Sequence, residues 1–131
     1  MSLSDGDVAA LAGQAVDLLA PGIDIDISPG AGDDPYRYGA RTWTVWPKVD
    51  GGRSLGIDIN SRMSPTDALA WLIDQLSNDV SESARFWSRP FPACPGHTHP
   101  ARVAETTAEA VVLRCPETRE IVAQIHPAVV D

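Results

Sequence analysis

Six consecutive residues, Ile23-Asp24-Ile25-Asp26-Ile27-Ser28, alternate between a β-branched apolar side chain and a carboxylate or hydroxyl. A two-residue period puts the three isoleucines on one face of a pleated strand and the polar groups on the other. Such a strand needs a cover on one side and water on the other, which an antiparallel sheet with one packed face provides. Two later segments have the same character. In Arg41 to Trp46, Trp43 and Val45 alternate with Thr42 and Thr44; in Ser54 to Asn60, Leu55, Ile57 and Ile59 alternate with polar neighbours that include Asp58. Between them, Asp50-Gly51-Gly52 supplies the positive φ of a tight reversal. These segments predict a three-stranded antiparallel meander.

Two amphipathic helices bracket the meander. From Ser4 to Ala20, Val8, Leu11, Ala12, Ala15, Val16, Leu18 and Leu19 recur at spacings of three and four, with Ser4 and Asp7 placed to cap the first turn and Pro21-Gly22 to end it. The second helix starts at Ser64 as N-cap, with Pro65 in the first helical position and Asp67 at the positive end of the helix dipole. Leu69, Leu72, Ile73, Leu76 and Val80 form its apolar stripe, flanked by Trp71, and this stripe is expected to pack on the isoleucine face of the sheet. The fold class is α+β, with an α-β-β-β-α core over residues 1–90 and a small β module over 91–131 packed on it as part of one domain.

Composition narrows the function classes. At 131 residues there is room for one ordinary domain, and 44% hydrophobic with 21% charged residues is enough apolar material to form a core. The formal net charge is −8, concentrated in the first 80 residues. Such a field repels phosphate backbones and anionic lipid, so neither nucleic acid nor membrane is an expected partner. A protein partner with a basic surface fits the charge. No apolar run reaches membrane-spanning length and no secretory signal is read at the N-terminus, so the expected location is the cytoplasm. Lys48 is the only lysine among ten basic residues, a bias characteristic of GC-rich bacterial genomes.

The residues with chemistry lie near the C-terminus. Cys94-Pro95-Gly96-His97-Thr98-His99 holds one of the two cysteines and two of the three histidines. A hairpin follows, from Arg102 to Glu105 and Ala110 to Arg114, then Cys115-Pro116 and a third strand at Ile121 to Ile125. Cys-Pro-x-His, a hairpin, and Cys-Pro before another strand resembles a zinc ribbon over residues 92–125. The resemblance implies a zinc ion held by Cys94, His97 and Cys115, with His99, His126 or water as fourth ligand. It departs from the family pattern at Thr118, which stands where the second knuckle would present its other ligand.

Other readings of these residues stay open. Cys94 and Cys115 could form a disulfide, which a reducing cytoplasm opposes, or be unconnected buried thiols that pack as small hydrophobes. Cys94 paired with His97 or His99 could act as a nucleophile, although no third residue is placed to orient the imidazole. Asp24, Asp26 and Asp58 share one strand face and form, with Trp46 at its rim, a candidate binding surface; a solvated strand face has the same pattern. Of the four tryptophans most are expected in the core, with Trp71 flanking the α2 stripe and Trp87 a second rim position. The functional expectation is a non-catalytic binding or accessory protein with a structural metal, and its rival is a small metal-dependent or thiol enzyme.

Overall fold

A computed structural model describes residues 3–19, 23–29, 41–48, 56–82 and 102–129. The first helix, α1, spans Asp5–Leu19. Its start is held by a reciprocal pair of bonds: the Asp7 N–H donates to Ser4 Oγ at 3.2 Å, and the Ser4 N–H donates to Asp7 Oδ2 at 2.9 Å. This is a capping box with aspartate in the returning position.

The meander forms as its alternation requires. Strands β1 (Asp24–Pro29), β2 (Thr42–Lys48) and β3 (Ile57–Asn60) are antiparallel in the order β1-β2-β3. Ile27 lies opposite Val45, and Val45 opposite Ile57, so one face is continuously apolar. Sequence places the end of β2 at Trp46, but the strand continues through Lys48, pairing Pro47 with Ile25 and burying the proline ring. Proline's fixed φ suits extended backbone, and the described β2–β3 pairing has already stopped at Val45, where the missing N–H would begin to matter.

Helix α2 covers Pro65–Glu82 and is capped as expected, Ser64 Oγ accepting the Asp67 N–H at 3.1 Å. It does more than cover the meander. It packs beside α1, meets β3, and also meets the C-terminal strands β4 (Arg102–Thr106) and β5 (Val111–Arg114). Together with β6 (Ile121–Ile125), these make a second antiparallel sheet in the order β4-β5-β6. The link between β4 and β5 is closed by Thr107, whose Oγ1 accepts the N–H groups of Glu109 and Ala110.

This second sheet shares the core of the first. Val111, Leu113, Cys115 and Val129 belong to the same buried cluster as Leu11, Leu69, Ile59 and Trp43. Val111, Val112 and Leu113 are consecutive and all buried, so β5 is covered on both faces rather than one. Each such side chain contributes roughly 1.5–3 kcal/mol by leaving water. β5 is anchored by burial in this shared cluster and by its packing on α2. A further tie comes from α1, where the Gln14 side-chain amide donates to the His126 carbonyl and accepts the Ala128 N–H at 2.8 Å. Among the described residues, no helix is long and apolar enough to cross a membrane.

Candidate functional site

Cys115 follows β5 directly and opens a tight reversal into β6. Its N–H donates to the Glu120 carbonyl at 2.9 Å, its carbonyl accepts the Arg119 N–H at 2.8 Å, and Arg119 sits at φ 63°. The Thr118 N–H lies 3.5 Å from Cys115 Sγ and points its dipole at the sulfur. Arg114 braces the turn from the preceding strand, donating Nη1 to the Arg119 carbonyl at 2.9 Å and pairing Nη2 with Glu105 at 2.9 Å. A backbone donor aimed at a cysteine sulfur in a Cys-Pro turn is of the kind that would stabilise a thiolate there. The thiol itself is 2% exposed.

The remaining residues of the expected metal set separate into two groups. Cys94, His97 and His99 lie outside the described residues. His126, one of the options for fourth ligand, is excluded by register. Arg114 pairs with Ile121 and Val111 with Ile125, so Cys115 and His126 stand just beyond opposite ends of the β5–β6 ladder, about 17 Å apart at a strand rise of about 3.3 Å per residue. The His126 ring instead donates Nδ1–H to the Glu109 carbonyl at 3.0 Å. It edges a cavity of about 460 Å³ that also borders Thr66, Glu109, Pro127 and Val129. Among the described residues, no three metal-ligating side chains come together.

The strand-face site keeps its common face but not a common focus. Asp26 is ion-paired with Lys48 at 3.1 Å, and Asp58 Oδ1 accepts the Thr44 hydroxyl at 2.9 Å. Asp26 on β1 and Asp58 on β3 are separated by β2, two strand spacings or about 9.6 Å, too far to share one small cation. Trp46, opposite Asp26, is half-buried, and its indole N–H reaches Ser28 Oγ on β1 at 3.1 Å. Its ring lies against Gly56, where an added Cβ would meet the ring at 3.0 Å and collide with Thr44 Cγ2. Asp26, Ile27, Ser28, Trp46 and Lys48 line a shallow concavity of about 470 Å³, which gives this face a shape as well as a charge.

Known protein families, curated proteins and solved structures give no match to this chain. The functional case therefore rests on its own residues.

Sequence reasoning missed two tryptophan arrangements. Trp43 is buried as expected, but its indole N–H donates to Asp5 Oδ1 at 2.7 Å, the same oxygen that Arg41 Nη2 holds at 2.6 Å, and the Arg41 guanidinium stands 5.1 Å from the Trp43 ring centre. Trp71, expected to flank the core, is 42% exposed and donates its N–H to the Asp58 carbonyl at 3.0 Å. The helical stripe placed Trp71 beside the core positions without saying how far its long ring would project. The neighbouring carboxylates Asp67 and Asp74, at four and three residues from it, were the available signal.

Proposed function

We propose that the chain is a non-catalytic binding protein whose C-terminal segment carries a structural zinc, with Cys94, His97 and His99 joining Cys115 around the ion. One observation carries this reading: the Cys115 turn directs the Thr118 N–H at the sulfur and holds Arg119 in the left-handed region, the backbone form of a metal-binding knuckle. The donor set of two thiolates and two imidazoles suits zinc. Because β5 is already anchored by the core, the ion's contribution is to tie the Cys94–His99 segment to the end of the hairpin. The binding surface is the acidic strand face of Asp24, Asp26 and Asp58 beside Trp46, and a basic protein surface is its complement. A nucleophilic role for Cys115 is opposed by its burial, which leaves a substrate no approach.

Elemental analysis of purified protein, with thermal melts before and after chelation, tests the metal. One zinc per chain and a lowered melt on chelation are expected, and Cys115→Ser and His97→Ala should both lose the ion. Metal-free protein with a melt indifferent to chelator would end the proposal. For the surface, capture of a basic partner should fail when Asp24, Asp26 and Asp58 are replaced by Asn; undiminished capture rejects that face.

A further inference from the structure

Among the described residues, the most exposed tryptophan lies on α2, away from the strand-face site. Trp71 is 42% exposed, yet its ring is not free to turn, because the indole N–H is bonded to the Asp58 carbonyl. Around it runs an open groove of about 360 Å³ lined by Met63, Asp67, Ala70, Trp71, Asp74 and Val103. Asp67 and Asp74 flank the indole one helical turn to either side, both exposed, and α2 has no lysine, arginine or histidine in its sequence. Among the described residues, neither carboxylate is in an ion pair. An oriented aromatic face between two carboxylates is a receptor for a cation whose flanks are apolar.

The protein already contains that chemistry in closed form. At Arg41, one guanidinium is held against the Trp43 ring and ion-paired with Asp5. Around Trp71 the ring and the carboxylates are present, and among the described residues the guanidinium stacked on an indole is that of Arg41 on Trp43. We propose that the Trp71 groove docks an extended, arginine-bearing segment of a partner protein, an inference that rests on the non-catalytic binding reading and names the partner's chemistry. Arginine is favoured over lysine because its flat, weakly hydrated cation stacks on an indole while its edge pairs a carboxylate. The spacing sets the motif. Asp67 and Asp74 are seven residues apart on a helix, about 10.5 Å of rise, and two arginines three residues apart on an extended chain span about 10 Å. The net charge of −8 steers such a segment in from a distance.

The test uses the full chain and an acetylated, amidated peptide with two arginines three residues apart, beside the same peptide carrying lysines or citrullines. Isothermal titration at low salt gives affinity, and the Trp71 Nε1–H resonance reports the site. The arginine peptide should bind, shift that resonance and weaken as salt rises, with the lysine peptide weaker and the neutral citrulline peptide inactive. Asp74→Asn should weaken binding about threefold and Trp71→Leu about fivefold, with melts confirming that both variants fold. Equal binding of the citrulline peptide, a silent Trp71 resonance at millimolar peptide, or full affinity in both folded variants would each overturn the proposal. Self-association of the chain that disappears in Trp71→Leu would also overturn it, by giving the groove to a second copy. If the Asn variants of Asp24, Asp26 and Asp58 lose the peptide while the groove variants keep it, the strand face stands and the groove falls. Zinc content measured on the same samples reports separately on the metal.

Discussion

Trp71 on α2 donates its indole N–H to the carbonyl oxygen of Asp58 on β3, at 3.0 Å, and so joins the helix to the outer strand of the described meander. The bond sits at an exposed edge, where water can replace it. Trp71→Phe should therefore cost only about 0.5–1 kcal/mol in urea denaturation. Trp43→Ala, at a residue 3% exposed, should cost about 3–5 kcal/mol. Equal losses at the two sites would contradict the exposure assigned to Trp71.

Asp5 accepts two donors of unequal importance. The Arg41 partner is an exposed ion pair, with side-chain exposures of 61% and 74%, and Arg41→Ala should cost less than about 1 kcal/mol. The Trp43 N–H is the costlier loss, since it belongs to a buried ring. Asp5→Ala should cost about 1–3 kcal/mol, with Asp5→Asn recovering part because an amide oxygen can still accept. Chemical denaturation of the three variants separates these contributions; an Arg41→Ala loss as large as that of Asp5→Ala would refute the ranking.

How much of this was legible in advance depended on distance along the chain. The Ser4 and Ser64 caps, the isoleucine alternation and the third C-terminal strand all obey rules acting within a few residues, and they form where the pattern places them. The Cys-Pro turn was legible for the same reason. The Gln14 contact with His126 and Ala128 spans 112 and 114 residues and leaves no local trace. The exclusion of His126 from the metal set likewise required the β5–β6 register, which periodicity does not supply. The Asp24, Asp26 and Asp58 face was readable as a face, but its internal pairing with Lys48 and Thr44 was not, because those partners come from a neighbouring strand.

Gly56 is where the open face of the meander is most tightly fitted. Gly56→Ala drives a methyl into Thr44 Cγ2 and against the Trp46 ring, and should destabilise by about 1–3 kcal/mol. Thr44→Ser removes the opposing methyl while keeping the hydroxyl that Asp58 accepts, so the double variant should recover a substantial part. A double-mutant cycle with no coupling between the two positions would show that the contact is not the cause.

Arg119 holds φ 63°, a conformation that carries no Cβ penalty for glycine and a severe one for a β-branched residue. Arg119→Gly should be neutral or stabilising by up to about 1 kcal/mol, and Arg119→Val destabilising by about 1–3 kcal/mol. Thermal melts check the order. A valine variant as stable as the glycine one would mean that the turn after Cys115 adopts another form in solution.

The burial of Val111, Leu113 and Val129 in one cluster with residues of α1 and α2 also bears on how the chain is made. During synthesis the two helices and the first sheet emerge well before the residues that complete their core, and until then a nascent chain carries an uncovered apolar surface. Its final fold is reached only by closing contacts that span most of the polypeptide, the kind that slow folding. A released chain ending near residue 100 would be an adhesive species whose buried cluster lacks Val111, Leu113 and Val129.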